Sequence, residues 1–212
     1  MSFFARNIRP TIIVLGFLST VAGTLGSFLL LEGPNARLRQ LSDARSGAVR
    51  EIDKLGALNN AYFIANQQGD LIFALNLQDS SRKEIGRLLY QGNVLDRAEP
   101  IRNVIGALAI ARLVDYRKTY GDYERLSDAA RASGEYGPFL AVKKAEREVI
   151  QQAQQRVESL QLGLGPLQTE ASLVEATLRR RQAVLIAFSL AGACLLLLAN
   201  LLEHKVKTAE KR

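Results

Sequence analysis

Two uninterrupted apolar stretches, Pro10 to Leu31 and Gln182 to Leu202, constrain this chain more than any motif it contains. Neither carries a charged side chain. Each is about 21 residues long, the length that a helix rising about 1.5 Å per residue needs to cross a hydrocarbon core of about 30 Å. Arg6 and Arg9 ahead of the first stretch, with the small pair Ala22-Gly23 inside it, imitate a cleavable leader. The apolar run continues through Phe28, Leu29, Leu30 and Leu31, past any suitable cleavage point, and reads as an uncleaved signal anchor. The chain therefore divides into an N-terminal tail (1–9), a first transmembrane helix (10–32), a loop (33–181), a second transmembrane helix (182–202) and a basic tail (203–212).

Charge places the two tails together. Arg6 and Arg9 at one end, with Lys205, Lys207, Lys211 and Arg212 at the other, favour both termini in the cytoplasm. Arg179, Arg180 and Arg181 oppose this from the loop side, but a loop this long is largely exempt from the charge rule. The loop holds 22 basic and 18 acidic residues, so little of the formal +7 belongs to it. Its charges alternate in sign along helical faces, which speaks for a solvated surface and against a nucleic-acid partner.

Within the loop, apolar residues recur at spacings of three and four, the period of amphipathic helices. After the breaker Gly33-Pro34, the series Leu38, Leu41, Ala48, Ile52, Leu55, Leu58, Tyr62 and Ala65 makes one face of a long helix, ended by a turn at Gln68-Gly69-Asp70. A second helix then runs from Leu71 to near Leu95. A rival start lies at Asp79, Ser80 and Ser81, with Glu84 as capping-box partner of Ser81. Pro100 opens a third helix that ends near Ser133-Gly134, and Gly137-Pro138 opens a fourth. The fourth is interrupted at Gly163-Leu164-Gly165-Pro166 and resumes into the second apolar stretch. The expected fold is all-α: an antiparallel up-down-up-down four-helix bundle inserted between two transmembrane helices, the even number of helices returning the chain to the membrane it left.

Span, bundle and span, with a long helix feeding the second span, resembles the extracytoplasmic four-helix-bundle sensor region of bacterial chemoreceptors and of some sensor kinases. The stretch Leu113 to Ala145, with Tyr116, Tyr120 and Tyr123 before a Ser133-Gly134 turn, shares that texture. The resemblance implies a bacterial inner (cytoplasmic) membrane location with a periplasmic loop. It carries over no ligand-binding residue. Only Glu203 to Arg212 follow the second span, so a chain complete as written lacks the cytoplasmic signalling domain of such receptors and has to act through a partner.

Gly16, Ser19, Gly23 and Gly26 form a small-residue seam on the first span, and Ala183, Ala187, Ala191 and Ala199 form one on the second. Such seams let helix backbones approach closely in lipid, either between the two spans or between molecules. Gly163, Gly165 and Pro166 read as a hinge or as a static kink. Arg112, Tyr116, Tyr120 and Tyr123 form a pocket for a small anionic or aromatic ligand or, alternatively, a stripe of core packing. Arg179, Arg180 and Arg181 read as an interfacial anchor, with lipid phosphate as the other reading.

Enzymatic chemistry has little to stand on. The sole histidine, His204, lies in the tail, and the sole cysteine, Cys194, lies in the second span. Histidine-based triads, thiol catalysis and ordinary zinc sites are thereby excluded from the loop, and no metal or cofactor is expected. Glu146 and Glu148 pair at a spacing typical of a solvated helix surface. The expectation is a non-enzymatic, sensor-like membrane protein, a homodimer or a subunit of a membrane complex, in contact with membrane lipid and with a ligand or partner the sequence does not name. The alternative is an accessory or scaffold subunit of a larger membrane assembly.

Overall fold

The computed structural model describes residues 2–77, 83–133 and 136–210, and nearly all of them are helical. Four helices follow one another: α1 (Ser2–Leu77), α2 (Lys83–Ile110), α3 (Tyr116–Ser133) and α4 (Tyr136–Glu210). There is no strand among the described residues. Two of the helices, α1 and α4, contain segments long and apolar enough to cross a membrane.

The chain forms two compact units. One comprises Met1–Arg45 and Pro166–Arg212, and the other Ser46–Gly165. In the first, contacts between α1 and α4 run in opposite directions along the chain, from Gly16 beside Gly192, through Leu30 beside Arg181, to Arg37 paired with Glu170. In the second, one apolar core draws on every helix. It includes Leu55 and Tyr62 of α1, Val94, Ile101, Val104, Ile105 and Leu108 of α2, Tyr123 and Ala130 of α3, and Phe139, Val142, Val149 and Ile150 of α4. Sharing one core is what holds the short α3 in place, because a helix of that length gains its stability from packing.

Several expected boundaries move. Pro34 lies inside α1, not at a helix start. A proline withdraws the donor due to the carbonyl four residues back, here Leu30. Arg181 Nη1 donates to that Leu30 oxygen at 2.9 Å, which satisfies the group and lets α1 run through. The turn expected at Gln68-Gly69-Asp70 is helical as well. Gly69 serves close approach instead, since a Cβ there would sit 2.8 Å from Arg97 Nη1 and from Asn93 Cγ. α1 is described to Leu77 and α2 from Lys83, and the rival start at Asp79, Ser80 and Ser81 lies outside the described residues.

Pro100 is interior to α2, and the break expected before it comes after it, at residues 111–115. There Leu113 N donates to Leu108 O at 3.0 Å and Arg112 N to Ala109 O at 2.9 Å, the double bond pattern of a Schellman cap. Arg112 occupies the left-handed position of that cap, with φ of 59°. Asp115 Oδ1 then accepts from Lys118 N at 2.9 Å and caps α3. Pro138 sits in the first turn of α4, where a proline is tolerated. The interruption expected at Gly163 to Pro166 is absent, as α4 continues through it. Pro166 withdraws only the donor due to Leu162, and Leu162 is exposed to solvent.

Candidate functional site: a buried ion pair and a glycine seam

The α2 sequence Val94, Arg97, Ile101, Val104 places an arginine in an apolar row, and Phe139, Val142, Glu146, Val149 does the same with a glutamate on α4. Packing these rows together buries both charges. Arg97 and Glu146 are each 0% exposed, and Arg97 is the bulkiest fully buried side chain. Arg97 Nε donates to Glu146 Oε2 at 3.0 Å and to Oε1 at 3.2 Å. The carboxylate also accepts from Tyr62 Oη of α1 at 3.1 Å and from Tyr123 Oη of α3 at 3.4 Å. Arg97 Nη1 donates to Asn93 Oδ1, and Asn93 Nδ2 donates in turn to the Ala65 carbonyl at 2.8 Å. All four helices therefore meet on one carboxylate.

Burial pushes the Glu146 carboxyl above its usual range, against the pull of the Arg97 guanidinium and of the hydrogen bonds from Arg97, Tyr62 and Tyr123. Burial, followed by the negative charge of Glu146, pushes the Tyr62 and Tyr123 phenols well above the ordinary tyrosine value. Removing a charge from water costs several kcal/mol per ion, so this pair persists because nearly every polar atom near it finds a partner. Nearer the surface, a forked pair joins α4 to α1. Arg156 Nε and Nη2 donate to the two Glu51 oxygens at 2.7 and 3.1 Å, and that bond raises the Arg156 guanidinium further.

Among the predicted pocket residues, only Tyr123 reaches this cluster. Tyr116 and Tyr120 stack on each other with ring centroids 5.5 Å apart, and Tyr116 is 37% exposed. Arg112 lies before α3 in the cap and is exposed. Glu146, expected on a solvated surface, is the most deeply buried carboxylate described, whereas Glu148 is exposed. The signal that identifies Arg97 and Glu146 in the sequence is a lone charge on an otherwise apolar helical row, which the carboxylate spacing alone does not reveal.

The seam on the first apolar segment is a contact line. A Cβ at Gly16 would stand 3.1 Å from the Gly192 carbonyl, and one at Gly23 would stand 3.2 Å from the Leu185 carbonyl. At Gly26 it would meet Leu185 Cδ2 at 2.7 Å. Ser19 Oγ donates to the Phe188 carbonyl at 2.7 Å. On α4 the contact line runs through Leu185, Ser189, Gly192 and Ala199. Of the predicted alanines only Ala199 is buried, whereas Ala183, Ala187 and Ala191 are exposed. A spacing of four advances about 40° per step on a helix of period 3.6, so the alanine row starts on the far side of α4 and comes round to the face of Gly192 only at Ala199.

Arg181 spends one N–H on Leu30, Arg179 pairs with Glu175 at 3.7 Å, and Arg180 is exposed. Gly163 and Gly165 have open space where a Cβ would go. Among the described residues, no group of three or more histidine, cysteine, aspartate or glutamate side chains is placed to hold a metal ion. No protein-family model, no curated protein and no solved structure matches this chain.

Proposed function

We propose that the chain is a two-pass membrane protein of a bacterial inner membrane, whose periplasmic helical bundle recognises a ligand or partner and which acts through membrane-embedded protein contacts. Support for the membrane part comes from two lipid-length apolar segments joined along a glycine seam, the packing that close helix association in lipid favours.

The observation that carries the recognition part lies outside those segments. On α1, Phe63, Ile64 and Leu71 are 41–62% exposed, and on α2, Ile85, Leu88 and Leu89 are 51–60% exposed. Large apolar side chains left uncovered in such numbers mark surfaces that meet another protein. In the sensor-like reading the polar-centred core couples these helices, since α1 and α2 both reach Glu146. The accessory-subunit reading draws on the same rows, because uncovered apolar faces are what a subunit shows when separated from its assembly.

The test uses the full chain in its native membranes. The protein is expected to stay in the membrane fraction after alkaline extraction and to bring down a membrane-protein partner in mild detergent. Ile64→Asp combined with Leu88→Asp should release that partner while the melting temperature holds. A partner that is stoichiometric and salt-resistant favours the accessory subunit, and one that leaves when a small molecule is added favours the sensor. Recovery of the intact chain in the soluble fraction overturns both.

A further inference from the structure

Directly beyond the two apolar segments, α1 and α4 flank an open groove of about 390 Å3. Gly33, Pro34, Leu173 and Val174 supply an apolar lining, and Arg37 and Arg181 supply the charge. Glu170 also lines it and is held by Arg37, whose Nε and Nη2 donate to Glu170 Oε1 at 2.9 and 2.6 Å. One carboxylate thus offsets one of two guanidinium groups, leaving the lining with a net positive charge. Arg181 is fixed through Nη1 by the Leu30 carbonyl, and a guanidinium so tethered still has four further N–H donors.

We propose that this groove binds the phosphate-bearing headgroup of an anionic phospholipid, with Arg181 and Arg37 donating to the phosphate oxygens and the apolar lining taking the adjoining ends of the acyl chains. The proposal rests on the membrane reading above, which sets these residues at headgroup depth: Gly33 follows Leu31 by two positions, and Arg181 immediately precedes Gln182. Arginine suits the task because its planar fork matches phosphate geometry and is weakly hydrated. The net positive lining selects among lipids, since the cationic end of a zwitterionic headgroup is repelled where an anionic headgroup is drawn in. The carbonyl freed by Pro34 adds preorganisation by fixing Arg181 before any lipid arrives.

The full chain is reconstituted into phosphatidylcholine vesicles with and without phosphatidylglycerol, floated after an alkaline wash, and extracted gently for native mass spectrometry of retained lipid. Phosphatidylglycerol is expected to be retained about fivefold over phosphatidylcholine, the scale of one basic residue at a membrane surface. Arg181→Gln should abolish that preference, and Arg37→Gln, which leaves the Leu30 bond intact, should lower it. Arg179→Gln, the same charge change outside the groove, should leave it unchanged, and excess inorganic phosphate should not displace the lipid. Equal retention of both lipids, an Arg179 variant as impaired as the Arg181 variant, or displacement by free phosphate each overturns the lipid site while the membrane reading stands. Failure of the chain to float with either vesicle overturns both.

Discussion

Arg97 carries a charge that no physiological pH removes, and it is sealed inside the apolar core of its unit. Its stability therefore hangs on Glu146. Glu146→Gln keeps the shape and removes the counter-charge, and breaking a buried pair in this way costs about 3–5 kcal/mol. For a chain of this size the melting temperature should fall by roughly 10 °C. Replacing the whole cluster is a different experiment. The combination Arg97→Met, Glu146→Leu, Tyr62→Phe and Tyr123→Phe leaves neither a buried charge nor an orphaned phenol, and apolar replacement of buried pairs is often neutral or stabilising by about 1–4 kcal/mol. Calorimetry of the two variants decides the matter; a harmless Glu146→Gln would show that the pair holds nothing together.

At the scale of the element, the end of α2 concentrates strain in one residue. Arg112 sits at φ 59°, where a residue with a Cβ pays about 1–2 kcal/mol. Arg112→Gly removes that cost, and the added freedom of the unfolded chain returns part of it. A net gain of about 0.5–1 kcal/mol follows, visible as a rise of about 2 °C in melting temperature. A fall instead would show that the arginine side chain contributes more than its backbone costs. This cap also marks the limit of what the sequence disclosed. The lipid-length apolar runs, the helical period and the first-span seam were legible because each is a repeated pattern along one face. Helix ends were not, since Gly69 and Pro100 carry the chemistry of breaks and sit inside helices, while Arg112 ends one without any breaker. Gly69 is explained by Asn93 and Arg97 lying against it, and such a tertiary neighbour has no trace in local sequence. Arg97 and Glu146 were legible in principle as lone charges in apolar rows, but only their pairing across 49 positions gives them meaning.

For the whole molecule, the two buried phenols set an alkaline limit. In the unfolded chain tyrosine ionises near about pH 10. Tyr62 and Tyr123 have folded values raised well above that by burial and by Glu146. Their contribution is thus fully present below the unfolded value and is lost as pH rises from there towards the folded values. Two such groups give a slope of about 2.7 kcal/mol per pH unit within that window. Melting temperatures followed from about pH 9 to about pH 11 should drop steeply, and the Tyr62→Phe, Tyr123→Phe double variant should drop much less. Equal slopes for the two proteins would mean that other groups govern alkaline unfolding.

The bond from Arg181 to the Leu30 carbonyl bears on how such a protein is made. During synthesis α1 emerges well over a hundred residues before Arg181 exists, so its proline-freed oxygen must wait with water or a headgroup as substitute donor. On the two-pass membrane reading proposed above, the N-terminal apolar segment would remain a provisional occupant of the bilayer until Arg181 is translated and takes over that oxygen.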